Sequence, residues 1–162
     1  MASTIIWNAR PEAEVVMAST AVAPAGLRDA DNNEELIAAA DVANGTGLYT
    51  MADFLLYCHD FDAAPSSGGY FELHIIYELG VAAGIYGDGE DGDVAGNPGL
   101  SAATLAGVFP LTASDENQYV QLCGIEIGPH DFRCVLVNKS GTNIADSDGS
   151  FLNIYRYCKE SQ

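Results

Sequence analysis

Between Leu105 and Tyr155, short apolar runs alternate with turn residues at regular intervals, and this rhythm constrains the fold more than anything else in the chain. The runs are Leu105-Ala-Gly-Val-Phe-Pro-Leu111, Tyr119-Val-Gln-Leu-Cys-Gly-Ile125, Phe132-Arg-Cys-Val-Leu-Val137 and Phe151-Leu-Asn-Ile-Tyr155. Gly128-Pro-His-Asp131 and Asn138-Lys-Ser-Gly141 break them with residues that favour turns. The pattern reads as strand, turn, strand, turn, and predicts an antiparallel sheet. Val135 and Val137 share a strand with Phe132, Cys134 and Leu136, so that strand is apolar on both faces. It is either central in its sheet or covered on one face by another subunit.

The same period of two extends upstream. Thr50, Ala52, Phe54, Leu56 and Cys58 fall on one face, while Tyr49, Asp53, Leu55, Tyr57 and His59 fall on the other. From Tyr70 to Glu78, Phe71, Leu73, Ile75 and Tyr77 alternate with Glu72, His74 and Glu78, which predicts one core face and one face meeting water. Leu36 to Val42 is a helical turn or a strand, since a run this short does not distinguish them. Counting from Leu36, seven strands recur, and an eighth is expected within Glu14 to Met17. Helical period is nearly absent. The expectation is an all-β antiparallel sandwich, jelly-roll-like, of seven to eight strands.

Two segments stand apart. Residues 1–35, with Pro11, Pro24 and a polar cluster from Arg28 to Glu35, read as an extended N-terminal arm before a sandwich domain over 36–162. Its large apolar residues Ile5, Ile6 and Trp7, with Arg10, either pack on their own domain or contact a neighbouring subunit. Residues 79–103 hold seven glycines and the acidic cluster Asp88-Gly-Glu-Asp-Gly-Asp93. Unstructured loops of this length are uncommon and often functional. Asp88, Glu90, Asp91 and Asp93 are calcium candidates, because hard oxygen ligands at close spacing suit that ion. Their spacing departs from the EF-hand and lacks its bidentate Glu, so an acidic solvated loop or a subunit contact is the favoured reading.

Composition excludes several classes. A chain of 162 residues suits one domain, which buries roughly 70% of its unfolded surface. The net charge is −17, and the 104 residues from Asp29 to Phe132 contain 18 Asp and Glu but not one Lys or Arg. Such a surface repels phosphates, so neither nucleic acid nor an anionic membrane is expected as a partner. No run approaches 18 apolar residues, and the start lacks the basic and apolar regions of a signal peptide, so a soluble protein is expected. Cys58, Cys123, Cys134 and Cys158 show no metal-ligand spacing, which predicts buried free thiols. The exception is Cys123 with Cys134, which a hairpin about Gly128-Pro129 would set opposite one another.

Motifs for chemistry are sparse. Phosphate loops, nucleophile elbows and HExxH are missing. His59-Asp-Phe-Asp62 and Glu72-Leu-His74 contain acid/base types, yet they suit a solvent-facing strand as well, and neither an enzyme nor a cofactor is expected. Asn44-Gly-Thr46 and Asn138-Lys-Ser140 match the glycosylation sequon. Tyr49, Tyr57, Tyr70, Tyr86, Tyr119 and Tyr157 are candidates for a carbohydrate platform if their strand faces are exposed.

The chain resembles a family of small virion proteins of tailed bacteriophages with a jelly-roll-like β fold, some of them head decoration or cement proteins. The resemblance rests on Trp7-Asn8, Ala52-Asp-Phe-Leu55, Glu72-Leu73 followed by the acidic Gly loop, and Leu105 to Leu111. It continues through Pro129-His-Asp-Phe132, Asn138 to Gly141 and Leu152 to Tyr155, spanning most of 49–157. Similar proteins commonly carry a double proline where this chain has Gly128-Pro129. The resemblance implies a capsid decoration protein on the outer surface of the virion, made in the host cytoplasm. Its expected partners are the major capsid protein and further copies of itself, as a dimer or trimer. A tail or neck component and a carbohydrate-binding surface module are the alternatives.

Overall fold

The structure is a computed structural model and describes residues 5–9, 13–15, 17–18, 27, 31–33, 35–38, 42–44, 49–78, 104–145 and 149–161. Among these, the elements are all strands: β1 (Ile5–Ala9), β2 (Ala13–Val15), β3 (Met17–Ala18), β4 (Glu35–Ala38), β5 (Met51–Cys58), β6 (Tyr70–Tyr77), β7 (Thr104–Pro110), β8 (Gln118–Glu126), β9 (Phe132–Lys139) and β10 (Phe151–Ser161). They form two antiparallel sheets. Sheet A has the order β1-β10-β5-β8, with β2 also paired to β10; sheet B has the order β3-β4-β9-β6-β7. Strands from the start and end of the chain lie side by side, and successive strands switch sheets at β2-β3, β4-β5, β5-β6, β7-β8, β8-β9 and β9-β10. This is the jelly-roll arrangement.

The sandwich corrects the simplest reading of Leu105 to Tyr155 as one sheet. β7 and β9 belong to sheet B, while β8 and β10 belong to sheet A. The reason is burial. Val120, Leu122 and Ile125 of β8 and Phe132, Cys134 and Leu136 of β9 all reach the core cluster. A hairpin would set the two apolar rows side by side on one layer, whereas two facing layers bury both. Crossing between sheets is held by polar contacts to the turn. Gly128 donates its N–H to the Tyr77 hydroxyl (3.0 Å) and its carbonyl accepts the Asn44 amide (2.7 Å).

Cys123 therefore does not face Cys134. Cys123 is exposed on sheet A, Cys134 is buried from sheet B, and both are free thiols, as is buried Cys58. Burial of free thiols thus holds for Cys58 and Cys134 and fails for Cys123.

Phe54, Phe71, Phe109 and Phe132 are fully buried, with Leu36, Leu56, Leu73, Leu136 and Ile144 around them. Ala52, Phe54, Leu56 and Cys58 carry the core face of β5, as its alternation predicts. Tyr49 departs from that alternation and packs against the core, because the strand begins only at Met51. Leu36 is a strand residue, paired with Leu136. β9 lies between β4 and β6 and is buried on both sides, Val135 and Val137 included, so it is a central strand. The outer side of β6 is drier than its pattern suggests: His74 and Ile76 are buried there. His74 lies opposite buried Val135 of the central strand, and Ile76 opposite the half-buried Arg133.

Within the N-terminal arm, β1 and β2 pair along β10, from Ile5 opposite Ser161 to Val15 opposite Leu152. The register shifts by one residue between them, an interval containing Pro11, whose nitrogen has no hydrogen to donate. β3 pairs with β4 in the other sheet.

Candidate functional site

The outer face of sheet A carries the most organised set of exposed side chains among the described residues. Because core residues of β5 alternate with outward ones, Met51, Asp53, Leu55 and Tyr57 point away from the core. Register across β10, β5 and β8 then places them in rows. The first is Phe151, Tyr57 and Tyr119; the next is Asn153, Leu55 and Gln121; the third holds Tyr155 and Asp53.

The aromatic row is stacked. Tyr57 and Tyr119 lie 4.3 Å apart at 21°, and Phe151 sits 5.1 Å from Tyr57 on its other side. Burial and the hydrogen bond with Tyr119 raise the Tyr57 phenol above its ordinary pKa. Tyr57 is thereby fixed as a backing for Tyr119, which is 67% exposed.

The third row is set by a bulge. Register on β8 shifts between Ala52 and Phe54, and Gly124 adopts φ +68°, a conformation glycine takes without strain. One oxygen of Asp53 accepts both the Gly124 N–H (2.7 Å) and the Tyr157 hydroxyl (3.0 Å). Partial burial, then the hydrogen bond and charge of Asp53, raise the Tyr157 pKa. Between the rows lies a shallow hollow of about 280 Å³, lined by Asp53, Leu55, Gln121, Asn153 and Tyr155 among others. It offers amides, a carboxylate and apolar surface.

A second concavity of about 650 Å³ opens at one end of the sandwich, beside Thr50, Tyr77, Glu78, Glu126, Pro129 and His130. Nearby, Asn44 is fully buried, its side-chain amide donating to the Tyr49 and Gly128 carbonyls at 2.9 and 2.7 Å and its backbone N–H to a carboxylate oxygen of Asp131. The Arg156 guanidinium reaches the Ala43 carbonyl and stands 5.9 Å from the Tyr49 ring centre. These contacts brace the end of the sandwich. The third surface is the edge of sheet B, where β7 exposes Leu105 (53%) and Val108 (37%).

The sequence candidates fall as follows. Ile5, Ile6 and Trp7 are in β1, whose backbone pairs with the end of β10. Arg10 and the calcium candidates Asp88, Glu90, Asp91 and Asp93 lie outside the described residues. Among the described residues no group of three or more metal-ligating side chains is present. His74 Nε2 and Glu72 Oε2 meet at 3.2 Å on the outer side of sheet B, with His74 Nδ1 buried and without a hydrogen-bond partner. His59 and Phe61 separate: the His59 N–H bonds the Ser150 hydroxyl, while Phe61 enters the core. Both sequon asparagines are fully buried. The Asn138 amide is bonded to the Thr142 carbonyl (2.9 Å), so glycosylation of either conflicts with the fold.

Sequence reasoning named Tyr57, Tyr119 and Tyr157 but missed Asp53, Gln121, Asn153 and Tyr155 as their neighbours. Alternation tells which face a residue takes, but strand order and the bulge decide which rows meet.

No protein-family model matches the chain, and no curated protein matches it. Among solved structures it aligns with the CBM36-1 domain of a multidomain xylanase from the hindgut metagenome of Trinervitermes trinervoides. The alignment covers 98% of this chain and 95% of that one, at 12% identity and a TM-score of 0.39. A likeness of this degree carries no functional argument.

Proposed function

We propose that this chain is a virion structural protein of a tailed bacteriophage, a decoration or cement protein that binds the outer capsid surface and self-associates over it. The observation that carries this reading is the pair Leu105 and Val108 on β7. Large apolar side chains are exposed on the last strand of sheet B, where among the described residues no strand but β6 is hydrogen-bonded to it. An edge of this kind is a template for another chain. The resemblance to decoration proteins supplies the partner, and the charge of −17 keeps the module off packaged nucleic acid. Many weak symmetric contacts acting together then hold the shell, without any catalytic step.

The test is sedimentation of purified protein with undecorated capsids. Wild type is expected to cosediment to saturation, and Leu105→Glu with Val108→Glu to lose most of that occupancy while keeping its melting temperature. Unchanged occupancy overturns the docking edge. Ile5, Ile6, Trp7 and Arg10 are proposed as a second contact. Trp7→Ala tests them better than deletion of residues 1–12, which would also strip β1 from β10. Placement on a tail or neck is the competing station, and labelling intact particles separates a few copies at one vertex from many over the head.

A second reading, a carbohydrate-binding surface module, is favoured by the hollow of sheet A with its flanking tyrosines. The two surfaces differ, so one protein can carry both.

A further inference from the structure

Resting on the carbohydrate-binding reading, we infer that the outer face of sheet A takes a neutral, extended glycan chain, laid diagonally from Tyr119 over Gln121 and Asn153 to Tyr155. Four observations lead there. The exposed Tyr119 ring is held by its face-to-face stack on Tyr57 (4.3 Å, 21°), so one ring face is covered while its other face and its edge stand ready on the surface at little ordering cost. Tyr155, 40% exposed, marks the opposite corner. Its row on β5 is four residues from that of Tyr119 and its strand is two strands away, which sets the two positions about 16 Å apart. That span suits several linked sugar rings rather than one.

Between the corners, Gln121 and Asn153 flank Leu55 in a single row. Amides both donate and accept, as hydroxyl groups do, while Leu55 offers apolar surface to the C–H side of a ring. This mixture of apolar floor and few polar groups is what a ligand hollow requires. Charge then selects among glycans. The lining residues include Asp53 and no Lys or Arg, on a chain of net charge −17, so an anionic polysaccharide is repelled.

Affinity electrophoresis tests this with the full-length protein in native gels containing hydroxyethyl cellulose, xylan, galactomannan, or the anionic polygalacturonate. Retardation is expected in at least one neutral gel and none in polygalacturonate. Tyr119→Ala and Gln121→Ala should each weaken the retained interaction about tenfold, the scale of losing one anchor in a contact surface. Tyr119→Phe should retain it, because the plane and its stack persist. Both side chains are exposed, so an unchanged melting temperature shows that the fold survives. Retardation only in polygalacturonate overturns the neutral glycan and leaves sugar binding standing. No retardation in any gel overturns both. Retardation in a neutral gel that Tyr119→Ala and Gln121→Ala leave unchanged overturns the assignment of this face.

Discussion

Two buried thiols, together with the raised Tyr57 and Tyr157 phenols, make the fold weaken in alkali. Burial pushes both Cys58 and Cys134 up to about 12. In the unfolded chain they ionise near their ordinary value of about 9, so as pH rises from about 9 towards about 12 the unfolded state sheds protons that the folded state keeps. The folded state is therefore fully supported below pH 9 and loses support above it, on the order of 4 kcal/mol per thiol at the upper end. Melting temperature measured from pH 8 to 11 should fall steeply for the wild type. Cys58→Ala with Cys134→Ala should start lower, because of the space left in the core, and fall less steeply. Parallel slopes would show that these thiols do not govern the alkaline transition. Elsewhere in the core, Phe54→Ala is expected to cost about 3 to 5 kcal/mol in denaturant unfolding, since that ring is fully buried between the sheets.

Among the elements, β5 with its bulged partner β8 determines the geometry of the sheet A face. Gly124→Ala forces a side chain into the left-handed region at φ +68°, at a cost of about 1 to 2 kcal/mol. Asp53→Ala leaves the Gly124 N–H and Tyr157 hydroxyl without their shared acceptor, costing about 1 kcal/mol. Urea midpoints check both, and the effects in the double variant should fall short of additive because both act on one bulge. How much of this was legible in the sequence follows from the same elements. The alternation of Ala52, Phe54, Leu56 and Cys58 against Asp53, Leu55 and Tyr57 revealed a strand and its core face directly. The double-sided apolar run about Val135 and Val137 revealed a strand buried on both sides. Neighbouring strands were not legible, because side chains of period two look alike in a hairpin and in a chain that crosses between layers. That is why Cys123 and Cys134, five residues to either side of the Gly128-Pro129 turn, end on opposite sheets. The bulge at Gly124 was hidden for a related reason. One glycine in an apolar run carries no mark of positive φ, yet it decides that Asp53 meets Tyr157 and that Gln121 shares a row with Asn153.

As a whole, the molecule is a jelly roll whose described surface offers two distinct faces for contact. One is the β7 edge with Leu105 and Val108, and the other is the aromatic and amide face of sheet A. From the acidic charge, filter binding to double-stranded DNA at low salt is expected to give no retention, and retention would contradict that expectation. The central proposal, a decoration protein seated on the capsid, is tested most directly by a cryo-EM map of the particle. The account predicts jelly-roll density at many symmetric positions on the outer shell, with the β7 edge turned towards the capsid protein. Density confined to a single vertex, or copies on the shell with the β7 edge facing solvent, would contradict it.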